Sequence, residues 1–377
     1  MKTSIYNISL LCWLLAIGMP LATASSPSEL RKEFKKTINK EFNITADGKV
    51  KLHNKFGDLD VHTWDKNQVK INVTITVNAR GEDDANKIFE RIKVNFSNGD
   101  DYVSAETVIG SIKSSWSWWG SSNSSDFAID YDVYMPKSGR LDLSIHHGNA
   151  SLASLNGSAD IEVRHSEFQG GDIAGDLIFD VAHGDAELGN VGIVDAEVAH
   201  GDMKIKNAKK VDVEVRHSDL RVRNAAKVNC NSAHSDLTLG EIDDLRLDSK
   251  HDDLEIRRAT AMDMESKYSD VEVDLVEGLL KCDMQFGELQ VNRLGKNFKE
   301  VRLDGTHTDF DINIESGATF KLDAAGSHAD VDYPSGLKVR YEKDKSSSYE
   351  LRGHMGSESA DAIIHVRMQH GGLDLDN

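Results

Sequence analysis

The chain predicts an all-β fold: a single-stranded parallel β-solenoid, a right-handed β-helix with three inward faces in each coil of 17–21 residues. Three observations predict it. A ring followed by a small residue and an acid recurs along the chain, as in "IEVRHSEF", "FDVAHGDAEL", "VEVRHSDLRV" and "DSKHDDLEI". Apolar residues alternate with polar ones on both sides of each ring, the signature of half-buried strands. Aligned on the ring, the apolar residues fall into columns, as stacked repeats require.

Residues 1–24 carry one lysine, an apolar run and the small residues Ala22-Thr23-Ala24, so they read as a secretory signal peptide. Cys12 lacks the small residues that a lipoprotein cleavage site needs before its cysteine. No later apolar run reaches the 18 residues of a membrane span. The formal charge is −19, and losing Lys2 with the leader makes it one unit more negative. Such a chain repels nucleic acid and anionic membranes. Only four prolines interrupt it, which suggests one continuous body.

Residues 25–139 read as a first coil followed by a capping excursion. "GKVKLHNKFGDLDV" places Phe56 in the ring role. Strands are expected in "QVKINVTITVNA" and in "FAIDYDVYMP", the second ending at Pro136. Between them "EDDANKIFERIKV" puts Ala85, Ile88, Phe89 and Ile92 on one helical face, with acids in the first turn. "SSWSWWGSSNSSD" holds Trp116, Trp118 and Trp119 without periodicity. These tryptophans either fold back on the cap or contact a partner or glycan, as exposed aromatics often do.

Residues 140–377 read as the solenoid. Its rings are His147, His165, His183, His200, His217, His234, His251, Tyr268, Phe286, His307, His328 and His370. Apolar columns stand six and four residues before the ring, and three, five and eight after it. In the coil of His217 they hold Val211, Val213, Leu220, Val222 and Ala225. A hairpin-like excursion at about 333–362, two strands around a charged loop, precedes a last coil at the terminus. At strand spacing the body is about 60 Å long. Cys230 and Cys282 share the column four before the ring, three coils or about 14 Å apart, beyond disulfide reach. They are expected to be two free buried thiols.

The ring shares the parity of the apolar positions before it, which places it inside or at the corner. The acid two residues later suits a tight corner, where a carboxylate accepts nearby backbone N–H groups. Because Phe56, Tyr268 and Phe286 keep a ring but lose ligand atoms, the column is read as a structural stack. A metal-binding row and a pH-responsive row are the alternatives. Zinc needs ligands converging on one point, and this column spreads them along a line. Rings held inside would make the fold acid-sensitive, since buried groups resist charging.

No nucleophile elbow, P-loop, dinucleotide fingerprint, C-x-x-C or H-E-x-x-H appears. No catalytic residue, resident metal or cofactor is therefore assigned. The outward columns before the ring hold Asp142, Asp160, Glu162, Asp180, Asp195, Glu197, Asp212, Glu214, Asp248, Asp263, Glu265, Asp283 and Asp304, with Arg164, Arg216, Lys250 and Lys267 beside them. A solvated strand face is the first reading. Weak divalent-cation binding and a polysaccharide lyase or hydrolase site are the alternatives.

"KFGDLDVHTWDKNQVKINVTITVNARGEDDANKIFERIKVNFS" and "IDYDVYMPKSGRLDLSIHHGNASLASLNGSADIEVRHS" resemble the bacterial putative-adhesin family of unknown function, over nearly all of the chain after the leader. Histidine at most ring positions departs from that family's Tyr, Phe or Asn. The resemblance implies an exported, non-enzymatic β-solenoid that serves as an adhesin-like binding or scaffold protein at the cell envelope. Its ligand would be an envelope protein or a glycan, met in the periplasm, at the outer surface or after secretion. A periplasmic sensor or regulatory partner in envelope signalling is a further alternative.

Overall fold

The apolar alternation dictates what is buried. In the computed structural model, which describes residues 31–110, 127–345 and 347–377, the coil of His217 buries Val211, Val213, Val215, Leu220, Val222 and Ala225. Each large aliphatic side chain contributes about 1.5–3 kcal/mol on burial, but a single coil exposes both its edges. Stacking resolves this. Residues 1–24, expected as a signal peptide, and Trp116, Trp118 and Trp119 lie outside the described residues.

The coil strands are β8 (Arg140–His146), β9 (Ala150–Leu152), β10 (Ala159–Arg164), β11 (Phe168–Gly170), β12 (Leu177–Ala182), β13 (Ala186–Ala199), β14 (Asp202–Arg216), β15 (Asp219–Ala233), β16 (Asp236–Lys250), β17 (Asp253–Leu294) and β18 (Glu300–Ile314). They pair in parallel and in register: Val211 of β14 lies between Val194 and Val228, and Leu245 of β16 between Val228 and Met262. The columns of the sequence are thus physical rows running through a solenoid-like stack.

Toward the N-terminus the stack continues through β2 (Lys49–Asn54) and β3 (Leu59–Trp64), which pair in parallel with β8 and β9. Beyond them lie β6 (Tyr102–Ile109) on β2, with β5 (Ile92–Asn98) antiparallel outside it. On the other face β7 (Phe127–Pro136) pairs with β3, then β4 (Gln68–Ala79) and β1 (Lys32–Asn43) follow in antiparallel pairing. The expectation of strands at β4 and β7 agrees with these pairings. β1, β5 and β6 were not anticipated, since their apolar residues are only partly buried or short in run. The helix α1 (Glu82–Arg91) buries Ala85, and Ile88 and Phe89 pack partly against the core. A buried polar link ties these layers: Asn54 donates to the Ile129 carbonyl at 2.7 Å, Thr107 donates to Asn54 Oδ1 at 3.1 Å, and the Thr107 and Tyr131 hydroxyls are 2.7 Å apart. Burial pushes the Tyr131 hydroxyl up to about 12.

The C-terminal end departs from the sequence expectation. The last coil in sequence, β22 (Ile363–Asp376), is not the last in space. It is inserted between β18 and β19 (Phe320–Asp332), parallel to both. The ring order is therefore His307, His370, His328. The step from His307 to His328 is 21 residues, the same as the step from Phe286 to the directly stacked His307, so a count along the chain does not reveal the inserted layer. The hairpin of β20 (Lys338–Lys345) and β21 (Ser348–Met355) then pairs antiparallel with β19. Among the described residues the strands form one mixed sheet, parallel along the coils and antiparallel at the ends. No helix among them is long and apolar enough to cross a membrane.

Candidate functional site

Every ring from His147 to His370 has φ between 51° and 60°. This left-handed conformation is uncommon for a residue with a side chain, though histidine is enriched in it. One left-handed residue reverses the alternation, so the ring points out and the small residue after it points in. Of the two expected places, inside or at the corner, the rings take the corner and point out. Tyr268 is 51% and Phe286 41% exposed, whereas Ser166, Ser218, Ser235, Asp252, Ser269 and Thr308 are buried. The acid sensitivity expected from buried rings loses its premise.

The small inward residues form a seam. Ser218 Oγ donates to the Arg216 carbonyl at 2.7 Å and accepts the Gly201 N–H at 3.2 Å. Ser235 repeats this with the Ala233 carbonyl and the Ser218 N–H. Where glycine stands, space is the reason: a Cβ on Gly201 would lie 1.9 Å from the Gly184 carbonyl oxygen. Asp252 takes the same position at 2% exposure. It accepts from Ser235 N–H (2.8 Å), Lys250 N–H (2.9 Å) and Ser232 Oγ (2.6 Å).

Outside, the rings form a continuous ladder. Phe56 stacks on His147, and each ring lies on the next through to His307, His370 and His328, with centroids 4.7–5.3 Å apart and planes within 14° of parallel. Phe127 closes the Phe56 end edge-on at 5.5 Å. Parallel imidazoles direct their lone pairs in parallel planes, so neighbours do not converge on one ion. Among the described residues no group of three or more His, Cys, Asp or Glu could hold a metal.

A carboxylate ladder flanks the rings. Three of these acids, Asp58, Asp185 and Asp309, accept the backbone N–H of an adjacent coil, whereas Asp219 pairs with Arg221 of its own coil. Asp185 Oδ1 accepts the Asp202 N–H at 3.1 Å, Asp58 Oδ1 the Asn149 N–H at 3.0 Å, and Asp309 Oδ1 the Gly372 N–H at 2.7 Å. Burial, then Asp219 and Asp185, push the Asp202 carboxyl up. At the N-terminal end Asp58, Asp60, Glu167, Asp185, Glu187 and Asp202 line an open depression, with Lys204 at its side.

The acidic columns before the ring are less continuous than the sequence suggests. Ile178, 57% exposed, stands among them, as do Asn229 and Arg246 in the same row. Burial pushes Asp142 up, but Lys49 at 2.8 Å and His53 at 3.3 Å outweigh it and hold the carboxyl below its usual range. Arg164 bridges Glu162 and Asp180, and Arg216 pairs with Glu214. Lys250 and Lys267 form no ion pair among the described residues. A further row went unread in sequence: Asn224 Nδ2 donates to Asn207 Oδ1, which lies next to Asn190 and Asp172. The signal was available seven residues after the ring.

No curated protein matches the chain significantly. A structure from Clostridium sporogenes described as a "putative cell adhesion protein" is 10% identical, covering 91% of this chain and 99% of that one, with a TM-score of 0.21. A "putative adhesin" from Parabacteroides merdae is 12% identical over 68% of this chain and 95% of that one, with a TM-score of 0.31. A "putative lipid binding protein" from Parabacteroides distasonis is 10% identical over 90% and 97%, with a TM-score of 0.27. Similarities this low carry no argument about this chain. The sequence of the coils does: residues 189–376 belong to the Toastrack DUF4097 family.

Proposed function

We propose that this chain is an extracytoplasmic, non-enzymatic binding or scaffold protein of the adhesin type, working at the cell envelope. One observation carries the proposal: the surface chemistry repeats from coil to coil. Rings about 5 Å apart and acids in the next row present a long regular face, which suits an extended partner better than a single small substrate. Catalysis instead needs a few groups converging on one reacting atom. The leader-like residues 1–24 support export, and the acidic balance argues against nucleic acid as partner. In this proposal residues 25–139 form a first coil and a cap on a body of residues 140–377, wound right-handed as parallel crossovers are. Trp116, Trp118 and Trp119 supply a local contact for an envelope protein or a glycan.

The test is binding of the chain without its leader to a glycan array and to envelope fractions, with and without calcium. The comparison is a Trp116/Trp118/Trp119 triple alanine variant. Saturable binding that the variant loses supports the proposal. Release of cleaved sugar from any polysaccharide on the panel overturns its non-enzymatic part.

A further inference from the structure

A local run of cations interrupts an acidic chain. Residues 204–227 hold eight Lys or Arg against three Asp or Glu, whereas the whole chain has a formal charge of −19. The fold brings four of these cations onto one face. Lys204 and Lys206 flank the buried Ile205, and Arg221 and Arg223 flank the buried Val222, so alternation turns all four outward, where they are exposed. Parallel pairing sets Lys204 beside Arg221 and Ile205 beside Val222. Lys206 and Arg223 therefore stand side by side as well, between those pairs and the pair of Asn207 with Asn224. The result is a two-by-two grid, about 5 Å across the coils and about 7 Å along the strands.

The grid is not neutralised from within. Arg221 meets Asp219 at 3.2 Å, but Lys204, Lys206 and Arg223 form no ion pair among the described residues. In the row of Lys206 and Arg223 the neighbours on either side are Gly189 and Gly240, and Thr238 stands next to Arg221. Asp202 and Asp219 border the grid on the ring side, and Glu187, beside Lys204, begins the acidic depression. Like charges side by side on a sheet repel. An anion seated on the grid would relieve a repulsion that the folded chain leaves in place.

Charge and size select the partner. A partner of continuous negative charge, such as a nucleic acid or an anionic bilayer, is repelled by the acidic surface around the grid. Isolated anionic groups on a neutral backbone are not. A guanidinium and an ammonium on adjacent coils can bracket one tetrahedral oxyanion, each at about 2.8 Å from an oxygen. A phosphate monoester carries about 1.5–2 negative charges at pH 7, which suits four cations better than the single charge of a carboxylate. We propose that Lys204, Lys206, Arg221 and Arg223 form a binding site for phosphate monoesters on a glycan. That the phosphate is borne by a glycan rests on the proposed envelope function. The site itself is separate from Trp116, Trp118 and Trp119 in sequence and in chemistry.

The experiment is binding of the leader-free chain to immobilised phosphomannan, to the same polymer after phosphatase treatment, and to phosphatidylglycerol vesicles, at low and high salt. The expected result is saturable binding to phosphomannan alone, weakened by salt and by inorganic phosphate. Lys206→Gln/Arg223→Gln should weaken it on the order of tenfold, as the loss of two exposed ion pairs implies. Lys250→Gln/Lys267→Gln removes the same charge from another adjacent pair of coils and should leave binding unchanged. All four side chains are exposed, so the fold should survive, as circular dichroism can check. No binding, equal losses in the two double variants, binding that survives phosphatase, or equal binding to the vesicles each overturns the proposal. Binding lost in the Trp116/Trp118/Trp119 triple alanine variant but kept in Lys206→Gln/Arg223→Gln overturns this site and leaves the proposed function standing.

Discussion

Ser235 and Asp252 occupy the same inward corner on adjacent coils, and the Ser235 N–H donates to Asp252 Oδ1 at 2.8 Å. The bond belongs to a seam in which each corner residue satisfies the backbone of the coil before it. A serine and a buried carboxylate thereby become interchangeable in position, though not in energy.

Asp252→Ala should leave the Ser235 N–H, the Lys250 N–H and the Ser232 hydroxyl without an acceptor. The expected loss is about 3 kcal/mol, since unsatisfied buried donors cost about 1–3 kcal/mol each and partial relaxation offsets the sum. Asp252→Ser copies the corners at 218, 235 and 269 and should cost only about 1 kcal/mol. Chemical denaturation of both variants measures this. Equal losses would show that the seam does not depend on its acceptors.

At position 217 conformation and stacking can be separated. His217 has φ 51° and lies 5.2 Å from His200 and 5.0 Å from His234. His217→Phe should be close to wild type, because Phe286 holds the same role. His217→Gly relieves the backbone but forfeits a stacking contribution of about 0.5–1.5 kcal/mol. His217→Val loses the stack and adds about 1–2 kcal/mol of left-handed strain. Thermal melts should rank them phenylalanine, glycine, valine. Valine matching glycine would exclude backbone strain as a factor.

The carboxylates should respond to pH in opposite directions. Asp202 has its carboxyl raised in the fold, so its charged form destabilises at neutral pH, and that cost vanishes as pH falls through the raised value. Asp202→Asn should therefore stabilise at neutral pH by less than about 1 kcal/mol after screening, with the gain fading in acid and in salt. Asp142 and Glu162 have lowered carboxyls and contribute stability that is lost as pH falls through their folded values. Asp142→Asn should accordingly destabilise at neutral pH. Melting against pH for both variants gives the signs, and a common sign would contradict these assignments.

Burial pushes the Cys230 and Cys282 thiols far up. Cys230 lies beside Leu247, which lies beside Met264, and Cys282 lies beside Leu303 on the far side of that coil, so the two sulfurs remain apart and unpaired. The expected outcome is no alkylation of Cys230 or Cys282 by iodoacetamide in the folded chain and modification of both after denaturation. Labelling at native rates equal to the denatured ones would show that this row opens to solvent.

The repeat itself was legible because stacking in register makes every coil solve the same packing problem. Val211, Val228 and Leu245 are interchangeable apolar residues at one level of one row, so a single chain displays the column that an alignment would otherwise supply. The strands β4 and β7 were legible for a related reason, since their alternation is long. β1 was not: lysines alternate with Phe34, Ile38 and Phe42 on its inner side, as expected of an edge strand that buries little.

By itself the sequence determined which residues share a row, where each corner falls and that rings stack on rings, because strand spacing and period-two alternation are local constraints. Only the tertiary structure decided which way the rings point, because one left-handed residue reverses the parity that alternation alone would continue. It also decided that β22 lies between β18 and β19 and that the Asp185 carboxylate serves the next coil's backbone. Those relations join residues distant in the chain. Their free energy comes from hydrogen bonds and contacts that exist only once neighbouring layers have assembled.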